Sequence, residues 1–371
     1  MTAQQKLLVF AGSYAELEGS GVYAYTFNEE TGVLTLQDEF SGLKNPTFLN
    51  VDVKNRKLYS IGETTSATGA KVGEAAAFEI DPVKGTFTLL NRAENVGATT
   101  CHIQRDPSDR YLIVVSYHGG MVGLVSLTED GRIGELLDVK QHEGKGAHPE
   151  RQDRPHPHSS FFSPDGRFLF VQDLGLDLIR VYTIDDSKGQ LVLHGETKTH
   201  AGAGPRHLTF HPNGKFAFVI NEVDSSITSF AYDVEAGKLT ELESVPTLPS
   251  DFTGENTTAE IAISGDGAYV YGSNRGHDSI VVFAVDAATG KLSLVEHVSA
   301  EGEHPRHFAL TPNGEHLLVA NRDTNNIVTF KVDKASGRLT YTGQQVTVSK
   351  PVCVQPFLLF CIKFDRGWVA E

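Results

Sequence analysis

The sequence is short of the features that mark cysteine-framed, membrane-spanning or helical proteins. It has three cysteines, Cys101, Cys353 and Cys361. The number is odd and the spacing suits no metal, so neither a disulfide framework nor a zinc module is expected. No stretch approaches the roughly 18 apolar residues of a membrane span. No stretch of useful length repeats its apolar residues every 3.6 positions, which leaves out a helical solenoid. Positive charge is in deficit, with 32 Lys and Arg against 47 Asp and Glu and a formal net charge of −15. A nucleic-acid partner would favour a basic face, so none is expected. The opening MTAQQKLLVFAGSY has one lysine and no long apolar run. It does not read as a signal peptide, and the expectation is a cytoplasmic protein with reduced thiols.

What the sequence has instead is 36 glycines and an internal repeat. Residues 204–242 read as four short strands, HLTFHP, FAFVIN, ITSFAYD and KLTEL, separated by Pro-Asn-Gly, Asp-Ser-Ser and Glu-Ala-Gly turns. Alternating apolar residues bounded by such turns signal antiparallel hairpins. The pattern recurs at 157–193, 258–295 and 305–342. The glycine of its last turn recurs seven times, at Gly32, Gly85, Gly131, Gly189, Gly237, Gly290 and Gly337, about 50 residues apart. Seven units of four strands describe an all-β, seven-bladed β-propeller. A lone four-stranded unit cannot bury both of its faces, so separate sandwich domains fit poorly.

The chain therefore reads as one toroidal domain, 1–371, with repeats and a closing strand over 7–360 and a tail over 361–371. The first marker lacks an innermost strand before it. The last is followed by Pro351–Phe357, which resembles an innermost strand without its blade. Joining the two completes one blade from both termini and removes the open edge of the ring. The tail either is disordered or covers this clasp; both readings stay open. The segment 64–74 is small-residue-rich and reads as a mobile loop. The one long irregular stretch is 140–158, KQHEGKGAHPERQDRPHPH, and loops of that length are often functional. Its His148, His156 and His158 are close in sequence, but Pro155 and Pro157 prevent a shared helical face, and no metal or other cofactor is expected. Cys101 and Cys353 fall on expected innermost strands, where a small thiol packs well.

In each repeat the start of the first strand and the end of the second lie at the same rim of the channel. Strand starts carry His102, His158, Arg206, His207, Glu260, Arg306 and His307. Strand ends carry His118, Asp173, Glu222, Arg275 and Arg322. The opposite rim has only generic turns. Singly, each residue suits a solvated surface or a turn cap. Together, ionisable groups from five repeats mark one mouth as a site for a small anionic molecule. Guanidinium groups grip carboxylate or phosphate through paired hydrogen bonds, and Glu and His suit proton transfer.

The segments HPHSSFFSPDGRFLFVQDLGLD, GPRHLTFHPNGKFAFVINE, AEIAISGDGAYVYGSNRGHDSI and HPRHFALTPNGEHLLVANRDTNNI resemble the seven-bladed lactonase family. That family includes propeller-type 6-phosphogluconolactonases and fungal carboxy-cis,cis-muconate cyclases. The resemblance covers roughly 7–360 and is weaker before residue 100. It implies a catalytic quartet at His158, Arg206, Glu222 and Arg275; the other rim residues, His102, His118, Asp173, His207, Glu260, Arg306, His307 and Arg322, are candidate substrate contacts from their position alone. It also implies hydrolysis of 6-phosphogluconolactone, the pentose phosphate pathway reaction. Cyclisation of a carboxymuconate is the alternative. A non-catalytic propeller that binds a protein ligand is a second, which the charged, non-aromatic rim disfavours. For the proton chemistry, His158 reads as base and Glu222 as its orienter, with the reversed roles left open.

Overall fold

In the computed structural model the backbone is described for residues 2–364 and 367–370, and side chains for 6–359. The described residues hold no helix. They form seven antiparallel sheets, six with four strands and one with five. We number the blades by the strand nearest the channel: Leu49–Asp52 in blade 1, His102–Arg105 in blade 2, Pro157–Phe162 in blade 3, Pro205–Phe210 in blade 4, Thr257–Ile263 in blade 5 and Pro305–Leu310 in blade 6. Blade 7 is the clasp. Its innermost strand, Pro351–Phe364, pairs antiparallel with Thr2–Ser13, and Ser20–Asn28 and Val33–Ser41 follow outward.

The burial pattern follows from this geometry. A second strand such as Phe216–Asn221 packs against a blade on each face, and all six of its residues are buried. An outermost strand such as Lys238–Pro246 alternates buried and exposed positions only at its start. The apolar cores accordingly lie between blades. One joins clasp and blade 1 through Leu8, Phe10, Phe78, Phe87 and Phe357. There Phe10 stacks on Phe357 at 5.2 Å and meets Phe87 edge-on at 5.5 Å, so the closing strand is held by side chains as well as by its ladder. The seven marker glycines all take positive φ, 60–81°. That backbone is what their hairpin turns require and what a Cβ disfavours.

Three expectations are revised. The segment 64–74 is mostly strand: Lys57–Thr65 and Lys71–Asp81 run through it to a tight turn closed by Ser66 N–H on the Ala70 carbonyl. Val72, Gly73 and Glu74 are buried and anchor it. Cys101 immediately precedes its strand, although its amide still bonds the Val115 carbonyl. The closing strand continues past residue 361 to Phe364 and pairs with Gly367–Ala370. The side chains of Cys361 and the tail lie outside the described residues.

Candidate active site

A recurrent irregularity builds the mouth of the channel. In blade 3, Pro157 pairs with Asp173 and Ser159 with Gln172, which leaves His158 as an extra residue. Arg206 is the extra residue in blade 4 and Arg306 in blade 6. The register also shifts between Thr258 and Ile261 in blade 5. A bulge bends its strand and re-aims a side chain. Strict alternation would send Arg206 and His207 to opposite faces; with the bulge, both reach groups at the channel.

Glu222 sits at the centre of a cationic cluster. Its Oε2 accepts from Arg206 Nε at 2.9 Å and lies 2.8 Å from an Arg275 guanidinium nitrogen, while its Oε1 accepts from Arg151. Arg206 also donates to the Ala259 carbonyl at 2.6 Å and Arg275 to the Thr258 carbonyl at 2.5 Å. Burial disfavours the Glu222 carboxylate, but Arg275, Arg206 and Arg151 outweigh it and hold the group far below the usual range. Arg275 is itself lowered to about 9, by burial first, with Arg206 and Arg306 adding to the effect against Glu222. A single carboxylate does not neutralise three guanidiniums. Arg306, half-buried beside them, has no ion-pair partner among the described residues.

His158 faces a cavity of about 340 Å³, whose lining includes Tyr117, His118, Arg151, Glu222 and Arg306. The volume is that of a small-molecule pocket. His158 is 5 % exposed and its Nδ1 has no hydrogen-bond partner. Burial, then Arg206, His207, Arg306 and Arg275, push its pKa well below the usual imidazole value. Glu222 therefore does not orient His158: both of its oxygens are engaged by arginines.

The other candidates divide. His118 is exposed at the cavity wall, and Arg306 lines it. His102, His207, Glu260 and His307 are buried within the channel. His102 lies 4.2 Å from the Phe48 ring, and His207 is 5.3 Å from His158 between ring centres. Asp173 is no mouth residue. One oxygen meets His142 Nδ1 at 2.6 Å and the other accepts from the His156 amide at 2.8 Å, so it anchors the irregular stretch. Arg322 lies outside the cluster and pairs through two nitrogens with Asp323 at 2.6 and 3.0 Å. Of the grouped histidines, His148 Nδ1 accepts from the Arg151 amide and His156 Nδ1 lies 3.0 Å from the Tyr117 carbonyl.

Arg151 is the residue that sequence reasoning missed. It belongs to the irregular stretch, which already showed unusual length and two arginines. That stretch is pinned rather than loose. Gln152 bonds Asp177 and the Leu174 carbonyl, and His156 stacks on Tyr117 at 4.2 Å. A Cβ at Gly175 would collide with the Arg154 carbonyl oxygen, so glycine lets the two segments touch. The result presents Arg151 from the blade 2–3 connection to Glu222 of blade 4. A second cavity of about 400 Å³ lies at the turns of blades 5 and 6 on the opposite rim. It holds no comparable convergence of charged groups.

Fold and site together define a propeller with a cationic, histidine-bearing mouth. The chain belongs to the seven-bladed β-propeller lactonase family, whose profile matches residues 8–356. It is 36 % identical over 350 residues to a 6-phosphogluconolactonase of Bacillus subtilis, covering 94 % of this chain and 98 % of that one. A 6-phosphogluconolactonase of Formosa agariphila is 35 % identical over 310 residues, 82 % of this chain and 86 % of its own. Among solved structures, the periplasmic gluconolactonase of Pseudomonas aeruginosa superposes with a TM-score of 0.88 at 30 % identity, covering 95 % of this chain and 99 % of that one. A protein from Lactobacillus plantarum gives 0.87 at 35 %, covering 95 % and 100 %.

Proposed function

We propose that the protein hydrolyses 6-phosphogluconolactone to 6-phosphogluconate, the lactonase step of the pentose phosphate pathway, in the cytoplasm. The observation that carries this reading is the excess of guanidinium over carboxylate beside a histidine with a free ring nitrogen. His158 takes a proton from water as the oxygen attacks the lactone carbonyl. Arg206 and Arg275 stabilise the oxyanion, since charge-assisted donors fixed in a water-poor site act most strongly where charge develops. The ring C–O bond then breaks and the proton passes to the departing alkoxide, giving a free hydroxyl and a carboxylic acid that releases its proton to solvent. Glu222 keeps the guanidiniums in place. Arg306, which lacks a carboxylate partner, suits the phosphate, and the relatives named 6-phosphogluconolactonase support that choice.

The test is a parallel assay of freshly made 6-phosphogluconolactone, unphosphorylated gluconolactone and carboxymuconate, corrected for spontaneous hydrolysis. Preference for the phosphorylated lactone supports the reading. Equal or better turnover of gluconolactone removes the phosphate assignment, and activity on the muconate alone overturns the reaction.

A further inference from the structure

His158, the base proposed above, has no carboxylate partner, but the imidazole next to it does. His207 Nδ1 lies 3.0 Å from Glu260 Oε1, which also accepts from the Ile261 amide at 3.0 Å. The other oxygen of Glu260 lies 3.2 Å from His307 Nε2. His307 Nδ1 accepts from the Val354 amide at 3.3 Å, which fixes its hydrogen on Nε2, yet Glu260 Oε2 accepts no hydrogen bond from the described residues. By the same logic, a carboxylate on Nδ1 makes that atom of His207 the donor and leaves the lone pair on Nε2. His207 is 2 % and Glu260 6 % exposed, so water screens this pair little; the same burial raises the Glu260 pKa, while His307 and Arg206 act to hold it ionised.

We propose that Glu260 and His207 form a carboxylate–imidazole dyad that sets the proton affinity of His158 during lactone hydrolysis. Both are positioning residues, since they act on the reaction through His158 rather than on the substrate. The need for such a dyad follows from the cluster. When His158 becomes cationic it does so among Arg206, Arg275 and Arg306, and the nearby Glu222 is committed to guanidiniums. Glu260 is the carboxylate that reaches it through an imidazole. His158 and His207 meet edge to face at 5.3 Å, 63° between planes. A carboxylate behind His207 polarises that ring and favours the charged form of the one against it.

The titratable groups around His207 are His158 from blade 3, His102 from blade 2 at 5.6 Å, Glu260 from blade 5 and Arg206 on its own strand, with Arg306, Glu222 and Arg275 also acting on it through their charge. His307 faces Glu260 from blade 6. The proton in this set belongs to the group rather than to one residue. Phe48 and Phe161 close the remaining sides, at 6.0 and 5.7 Å from His207.

This inference rests on the lactonase reading of His158, and its test separates the two. Glu260→Gln keeps an oxygen for the His207 N–H but removes the charge. On a substrate that the wild type turns over, kcat should fall about 10- to 100-fold, the range for removing the outer partner of a metal-bound imidazole, with KM unchanged. The acid limb of kcat/KM should move to lower pH, because a base without its anion is harder to protonate. A wild-type profile in Glu260→Gln, or a rise in KM alone, overturns the dyad. Should that variant not fold, the wild-type protein decides by imidazole NMR. A strongly downfield Nδ1 proton is expected, lost in His207→Gln and retained in His158→Gln; its absence from the wild type overturns the proposal. Failure of the wild type on every lactone would sink the lactonase reading, while the NMR result still reports on the pair.

Discussion

Replacing Glu222 by Gln tests whether this residue is a clamp for arginines or a working base. Its side chain is 8 % exposed and within ion-pair distance of Arg151, Arg206 and Arg275. The amide is nearly isosteric but turns an NH₂ toward at least one guanidinium. Removing one partner of a buried ion pair costs about 3–5 kcal/mol, because the remaining charges stay buried. We expect that loss in urea unfolding at neutral pH. The native pKa of Glu222 is depressed, so its contribution is complete above the unfolded carboxylate value of about 4.3. It is lost as pH falls through the native value. The gap between wild type and variant should therefore be constant from pH 7 to 5 and narrow only below about pH 4. 6-Phosphogluconate should raise the unfolding midpoint more in the variant than in the wild type, since it supplies the missing anion to the same guanidiniums. Equal midpoints at pH 7, together with a large loss of kcat, would refute the clamp and return the base role to Glu222.

How much of this was legible depends on what each feature needs. The ring was legible because seven hairpin glycines need positive φ and leave a period in the text. The clasp was legible because a propeller cannot leave Pro351–Phe357 without a blade. The rim was legible because paired strands place Pro205 opposite Asn221, and so Arg206 close to Glu222. The bulges were not, since one extra residue changes neither composition nor turn chemistry, yet they bring His158, Arg206 and Arg306 to one mouth. Arg151 was not, because its contact crosses 71 residues and rests on a stretch held by buried side chains. Asp173 and Arg322 occupy the expected strand ends. Position alone does not show that Asp173 faces His142, or that Arg322 spends its fork on the neighbouring Asp323.

The remaining predictions probe the clasp, the arginines and the proton. Phe357→Ala, at a site 5 % exposed, should cost about 3–5 kcal/mol in chemical unfolding; an unchanged midpoint would count against closure by this strand. Arg275→Ala should weaken transition-state capture, read from kcat/KM, by about 1.5–3 kcal/mol, and Lys should restore only part because the fork is lost; wild-type kinetics would mean the mouth is misplaced. Arg151→Ala should raise KM while changing stability by no more than about 1 kcal/mol, because its side chain is partly exposed; a collapse in stability would make it a structural strut. For His158, Gln should lower kcat by about 10²–10⁴, and the wild-type pH profile carries the sharper test. Burial and the surrounding guanidiniums depress the imidazole, so in the free enzyme the acid limb of kcat/KM should lie below the ordinary value of about 6.5. A bound phosphorylated lactone brings negative charge to those guanidiniums and relieves their pressure on the ring. The limb in kcat, which reports the enzyme–substrate complex, should then sit at higher pH than the limb in kcat/KM. Unphosphorylated gluconolactone brings no such charge, so with it the two limbs should lie closer together. Coincident limbs with the phosphorylated substrate would show that its charge never reaches the arginines around His158.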